Sequence, residues 1–253
     1  MRTALVTGAS RGIGRATAIA LAARGERVAV HCANNRAAAE ETLSLLEGEG
    51  HLIIQGDLAD PTVAERVVRE AEEGLGRLDV LVNNAGIAPG PTTDHPVDEV
   101  DFATWQERFT RMLDVDLVAP ANLSYLVARS MIVRGEGGVI VNVGSRGAFR
   151  GEPTAPAYAA AKAGLHALGQ SLALSLAPHG IAVASVAPGF VGTERQQEKL
   201  AGEAGDGLRA QSPFGRVGTA DEVAAAILYL TSPEAQWASG AILDLNGASH
   251  LRT

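Results

Sequence analysis

Short apolar runs of strand length alternate with helix-length stretches from one end of this chain to the other. The runs fall at 4–6, 28–30, 52–54, 80–82, 139–143, 181–186 and 242–245. Between them lie helix-like stretches at 14–24, 36–47, 63–73, 102–131, 158–176 and 221–230. Strands that are apolar on both faces must be covered on both, and strands alternating with helices belong to parallel sheets. With right-handed crossovers, this order predicts an α/β fold: a doubly wound, seven-stranded parallel sheet with helices on both faces. No linker, repeat or low-complexity block interrupts it, so a single domain spanning 1–253 is expected. A chain of 253 residues buries a core of that size without cross-links.

Composition narrows the chemistry. Hydrophobic residues make up 46% and charged residues 20%, which excludes wholesale disorder. The net charge of −8 and the lack of a basic cluster argue against a nucleic-acid partner. No run of about 18 apolar residues occurs, so no membrane span is expected. Cys32 is the sole cysteine, which rules out an internal disulfide and a cysteine-built zinc site. No metal is expected. Met1 leads directly into the first strand with no leader pattern, and the expected location is the cytoplasm. Two segments break the alternation. Residues 87–100 read as a loop rich in Pro, Asp and Thr, and 193–218 as a polar, glycine-containing lid over a site.

Three groups of residues carry chemistry. The first strand runs into Thr7-Gly8-Ala9-Ser10-Arg11-Gly12-Ile13-Gly14 and then a helix. Glycines there let backbone N–H groups approach a phosphate, and the helix N-terminus adds partial positive charge. Tyr158 and Lys162 are four apart in a helical stretch and share a face. An ammonium beside a phenol favours phenolate, which makes the pair an acid–base device. Lys162 and Lys199 are the only lysines in a chain that otherwise uses arginine. Retention at 162 fits the role, because a guanidinium would sit differently. Ser145 ends the fifth strand, where sites in open parallel sheets form.

The G-x-x-x-G-x-G spacing together with Tyr158-x-x-x-Lys162 resembles the short-chain dehydrogenase/reductase family. So do Asn83-Asn84-Ala85-Gly86 after the fourth strand, Ser145 thirteen residues before Tyr158, and Pro188-Gly189 followed by Thr193 after the sixth. The resemblance runs through nearly the whole chain. It implies a nicotinamide dinucleotide held by Gly8, Ser10, Arg11, Gly12, Ile13, Gly14, Asp57, Leu58, Asn83, Ala85, Gly86, Tyr158, Lys162, Pro188, Gly189, Val191 and Thr193. It implies catalysis by Ser145, Tyr158 and Lys162. Asp116 stands where relatives carry an Asn whose backbone holds a relay water. Its carboxylate would favour ammonium and oppose phenolate, unless Arg146 neutralises it.

In NAD-preferring relatives an acid at the end of the second strand binds the 2′-hydroxyl. Here Cys32 falls at that point, and Arg11 and Arg36 are expected to receive a 2′-phosphate, which favours NADP(H) over NAD(H); Asn35 beside them is expected to contact the cofactor. The function implied is an NADPH-dependent carbonyl reductase acting on a small molecule, resembling the 3-oxoacyl-thioester reductases of the family. The alternatives are a sugar or secondary-alcohol dehydrogenase with the same machinery, and a catalytically idle nucleotide-binding sensor. Arg146, Phe149 and Arg150 are expected to flank the substrate, the arginines meeting an anion. His95 lies in an extra segment and is expected to be solvated. The faces of 102–131 and 158–176 predict a homotetramer, or at least a dimer.

Overall fold

The strands that the alternation predicts all form, as do the helices between them. The computed structural model describes residues 1–196 and 200–252, with 195, 203 and 204 described by backbone alone. Strands β1 (Thr3–Val6), β2 (Arg27–Cys32), β3 (Leu52–Gln55), β4 (Val80–Asn83), β5 (Gly138–Val143), β6 (Ile181–Pro188) and β7 (Ile242–Leu245) make one parallel sheet. Their order is β3-β2-β1-β4-β5-β6-β7. The chain reverses direction across the sheet between β1 and β4, which pair from Ala4 with Val80 to Val6 with Val82. That reversal leaves a crevice at the carboxyl ends of the two strands.

Helices α1 (Gly12–Ala23), α2 (Arg36–Ser44) and α9 (Ala220–Leu230) cover one face, where Leu21, Val28, Val30, Val223 and Ile227 are buried together. Helices α3 (Pro61–Leu75), α5 (Ala119–Arg134) and α7 (Pro156–Leu176) cover the other, over Leu75, Leu123, Met131, Ile140 and Ile181. Local chemistry sets the ends. Asp60 caps α3 through the Thr62 N–H, Pro61 fills a first-turn position that needs no donor, and Gly76 closes the helix at φ 86°. Thr219 and Glu222 close α9 with a reciprocal capping box.

The predicted helix over 102–131 is two helices. α4 (Phe102–Leu113) meets α5 through a π-helical turn, Asp114–Val118, in which the Ala119 N–H bonds the Asp114 carbonyl. Pro120 has no N–H to offer the preceding turn, so the ladder has to re-register there. Two shorter helices follow later, α6 (Gly147–Arg150) and α8 (Gly202–Ala210), the second inside the predicted lid. No helix among the described residues is long and apolar enough to cross a membrane. No cluster of metal-binding side chains occurs among them either.

The 87–100 loop corrects one expectation. His95 is buried, not solvated. Its Nδ1 lies 2.8 Å from the Thr93 carbonyl, and its Nε2 accepts the Ala157 N–H at 3.2 Å. Its ring meets Trp105 and Phe109 of α4 edge-on. The loop thus satisfies one orphan donor at the start of α7, next to Tyr158.

Two other imidazoles are buried and kept neutral. His31 accepts the Gly8 N–H at Nδ1 (3.2 Å), and its Nε2 lies 2.9 Å from the Gly56 carbonyl. His166 stacks on Phe149 at 5.2 Å. Burial lowers both pKa values to about 4. An unfolded imidazole, near 6.5, takes up protons that the native state refuses. Both contributions are therefore complete above pH 6.5 and fade as pH falls toward 4, each on the order of 3 kcal/mol. Thermal denaturation should show a Tm that is level near pH 7–8 and falls below 6.5. The His31→Gln, His166→Phe double variant should flatten that fall; an unchanged slope would assign it to carboxylates alone.

Candidate active site

The glycine turn is a close three-way contact. Gly8 has φ +63° and Gly12 φ +55°. A Cβ on Gly8 would come within 2.9 Å of the Ala85 Cα, and one on Gly14 within 2.4 Å of the Gly8 carbonyl. Only hydrogen fits at either position. Asn84 fixes the turn by donating to the Thr7 and Gly8 carbonyls at 2.8 and 3.1 Å. Thr7 Oγ1 in return accepts the Asn84 and Ala85 N–H groups.

A cleft of about 650 Å³ opens from this turn across the carboxyl ends of the strands. Of the residues expected to hold the dinucleotide, Gly8, Ser10, Arg11, Gly12, Ile13, Asn35, Asp57, Leu58, Ala85, Gly86, Tyr158, Lys162, Pro188, Gly189, Val191 and Thr193 line it. Three do not. Gly14 packs α1 onto the turn. Asn83 points into the core, where its Nδ2 donates to Ser124 and Asn142. Arg36 is on the surface beside Glu40, 3.1 Å away. Because consecutive strand residues face opposite sides, one of Asn83 and Asn84 had to be buried. Asn84 faces the cleft.

At the far end of the cleft, Asp57 is ion-paired with Arg111 at 2.6 Å. Burial alone would lift this carboxyl; the Arg111 hydrogen bond and charge together with the Ala59 N–H outweigh it and hold the group below its usual range. Arg111, on α4, had no sequence signal. The buried Cys32 ends β2 with its thiol pushed up by burial, so no negative charge stands there.

The residues present fit a dinucleotide. The N-terminus of α1 carries no side-chain cap from Arg11. The anion that meets it is the Glu194 carboxylate, which accepts the Gly12 N–H at 3.2 Å. A phosphate oxygen has the same requirement.

The reactive groups gather at the other end. Tyr158, Lys162 and His166 recur at intervals of four along α7 and share one face. Lys162 is buried, 2.9 Å from Asp116 Oδ1 and 3.2 Å from the Val143 carbonyl it donates to. Asp116 is fully buried, and its Oδ2 accepts the Ile87 N–H at 2.9 Å. A Cβ on Gly86 would come within 2.6 Å of Asp116 Oδ1. Lys162, not Arg146, thus answers the Asp116 charge. Burial pulls the Lys162 ammonium down, but Asp116 and then Tyr158 outweigh it and leave it raised. Nζ lies 5.7 Å from the Tyr158 ring centroid. Burial raises the Tyr158 phenol; Lys162 and a hydrogen bond with Ser145 pull it back in part, while Asp116 and Glu152 push it up. Ser145 Oγ also accepts the Gly147 N–H at 3.0 Å.

Arg146, Arg150, Glu152 and Gln211 complete the wall beside Ser145 and Tyr158. Phe149 is not part of it: its ring lies between His166 and the Arg252 guanidinium, 4.5 Å from the latter. Of the predicted lid, 197–199 fall outside the described residues. Val191 bridges to Gly218, and Thr193 packs against Gly12, so the segment enters and leaves beside the cleft.

A tyrosine, a buried lysine and a serine beside a dinucleotide-sized cleft can move a proton to or from an oxygen while hydride moves at the adjacent carbon. The family model described as short chain dehydrogenase matches residues 2–204. An L-rhamnose 1-dehydrogenase (NAD(P)(+)) of Sphingomonas sp. (strain SKA58) is 37% identical over 254 residues, covering 99% of this chain and 96% of that protein. A 3-oxoacyl-[acyl-carrier-protein] reductase of Escherichia coli (strain K12) is 37% identical over 250 residues, covering 99% and 98%. A 3-oxoacyl-[acyl-carrier-protein] reductase of Staphylococcus aureus is 33% identical over 252 residues, with the same coverage. The chain is an oxidoreductase and belongs to the short chain dehydrogenase family.

Proposed function

We propose that the protein reduces a ketone on a small molecule to a secondary alcohol with NADPH, Tyr158 supplying the proton. The observation that carries this reading is the convergence of Tyr158, Lys162 and Ser145 on the cleft that opens at the glycine turn. When bound, the nicotinamide supplies or accepts hydride. Gly8, Gly12 and the α1 N-terminus hold the phosphates, and Asp57 and Leu58 flank the adenine end. The Ser145 hydroxyl donates a hydrogen bond to the substrate oxygen and steadies its growing negative charge. Tyr158 gives its proton to the same oxygen. Lys162 keeps a cation beside the phenolate that remains, and Asp116 anchors that cation. A raised phenol is protonated at neutral pH, which suits donation and so reduction.

The same residues run in reverse oxidise an alcohol. That second reading, a sugar or secondary-alcohol dehydrogenase, draws on the L-rhamnose 1-dehydrogenase relative and on a wall built from Arg146, Glu152 and Gln211 rather than apolar side chains. A purely nucleotide-sensing role has no support in a site with all three reactive groups in place.

The preference for NADP(H) is supported by a buried Cys32 in place of an acid at the end of β2 and by Arg11 and Asn35, which line the cleft. Arg36 contributes after leaving Glu40, an exposed pair that costs little to break. The segment 193–218 acts as a lid, its Glu194 giving way to cofactor phosphate at Gly12. A homotetramer is supported by exposed Tyr125 and Val133 on α5 and Leu174 on α7.

Three experiments test these statements. Tyr158→Phe should lower kcat at least ~100-fold while NADPH still binds; turnover at the wild-type rate would remove the acid–base role. Arg11→Ala should weaken NADPH about tenfold and NADH less than twofold, a difference of about 1 kcal/mol or more in fluorescence titrations; equal losses would count against 2′-phosphate recognition. Asp116→Asn removes the carboxylate that opposes phenolate. Its pH–rate profile for alcohol oxidation should therefore rise at lower pH than the wild type's, and superimposable profiles would show that the charge is immaterial.

A further inference from the structure

The wall beside Ser145 holds a positive charge that no ion pair among the described residues answers. Arg146 is 7% exposed. Its two terminal nitrogens donate to Ser249 Oγ and to Gln211 Oε1, the latter at 2.7 Å, and both acceptors are neutral. Among the described residues it forms no ion pair. Other part-buried arginines do: Arg24 meets Glu26 at 2.6 Å, and Arg134 meets Asp79 at 3.3 Å. Arg150 stands next to Arg146 on the same wall, 3.4 Å from the shared Gln211 Oε1, and it has no carboxylate partner either. Glu152 is the acid on this wall. Its Oε1 lies within 2.6 Å of where a Cβ on Gly147 would be, tucked against α6; it forms no ion pair with either arginine and acts on Arg146 only at longer range.

Holding a guanidinium out of water without a counter-ion is unfavourable, and a chain with net charge −8 has acids to spare for pairing. Two unpaired arginines on the wall that carries Ser145 and Tyr158 are therefore placed for an anion that arrives from outside. The planar fork of a guanidinium matches the two oxygens of a carboxylate or phosphate. The dinucleotide phosphates have a cradle of their own at Gly8 and Gly12.

We propose that the substrate carries an oxyanion, a carboxylate or phosphate, which Arg146 and Arg150 hold while its carbonyl or carbinol carbon faces Ser145 and Tyr158. This rests on the oxidoreductase reading above, and it favours free oxo acids, hydroxy acids or phosphorylated polyols over neutral ketones and sugars.

The test is binding to the enzyme saturated with NADP⁺, so that the phosphate cradle is already filled. Matched pairs separate charge from shape: 3-hydroxybutyrate against its methyl ester, gluconate against sorbitol, and glycerol 3-phosphate against glycerol. Titration calorimetry should give at least one anion bound tenfold or more tighter than its neutral partner. The pair that shows it tells carboxylate from phosphate. That contrast should shrink below threefold in Arg146→Gln and fall in Arg150→Gln. Arg150 is exposed, so its variant folds even if the first does not. Arg146→Lys should keep part of the contrast. No contrast in any pair, or one that survives both glutamine variants, would overturn the proposal. Turnover of the same compounds is scored separately. Turnover without an anion preference defeats this inference alone, and an anion preference with no hydride transfer to or from any compound defeats the oxidoreductase reading.

Discussion

One buried ion pair holds the reactive end of this protein together. Lys162 and Asp116 lie 2.9 Å apart with almost no exposure. Removing either charge would strand the other out of water, a loss of roughly 3–5 kcal/mol. The pair also fixes its neighbours. Asp116 takes the Ile87 N–H, Lys162 donates to the Val143 carbonyl, and Gly86 can carry no side chain because Asp116 fills the space. Four parts of the chain are set by one contact: the end of β4, the π turn between α4 and α5, the end of β5, and the middle of α7. The π turn follows from the same demand, because it lets a helical residue present a short carboxylate inward at Lys162.

On the proposed reading the cleft divides into two anion sites with different physics. At the glycine turn the donors are backbone N–H groups at a helix N-terminus, and the sequence must supply glycines so that an anion can approach. At the substrate end the donors are guanidinium groups, and the sequence must supply room and withhold carboxylates. A protein with an overall negative charge can do both only by local placement. Many of its other arginines are tied into pairs such as Arg216–Glu222 and Arg252–Asp244, whereas Arg146 and Arg150, on the wall beside Ser145, form no ion pair among the described residues. Glu194 at Gly12 shows how the first site is satisfied by the protein itself.

The sheet, its helices and the serine–tyrosine–lysine spacing were legible in the sequence because each is a local pattern: apolar runs, one helical turn, a fixed offset along a strand end. What escaped depends on contacts between distant segments. Asn83 and Asn84 are adjacent letters, and only the pleat of β4 decides which is buried. Arg111 reaches Asp57 across the cleft from a helix with no distinguishing motif. His95 looked like a surface residue in a polar loop, and it is buried because Trp105, Phe109 and the start of α7 enclose it. Arg36 carries the right charge in the right stretch, and yet it pairs with Glu40 on its own helix. Phe149 follows Ser145 closely enough to suggest a substrate contact, but the ring of His166 claims it.

The charges arranged around one phenol decide how firmly it keeps its proton. Lys162 favours the phenolate; burial, Asp116 and Glu152 oppose it, and opposition prevails. Were Asp116 neutral, as in relatives that carry Asn, the lysine would act on Tyr158 with its field uncancelled. The carboxylate lies against Lys162 Nζ and screens that field, so the phenol keeps its proton until the substrate oxygen gains negative charge. An oxyanion held by Arg146 and Arg150 adds further negative charge to the cleft and works in the same sense. On the proposed reading, a phenol that keeps its proton at neutral pH suits donation to a carbonyl oxygen, and Asp116 and an arginine-bound anion both act in that sense, while the balance between carbonyl and alcohol is set by the reactants and the cofactor rather than by these charges.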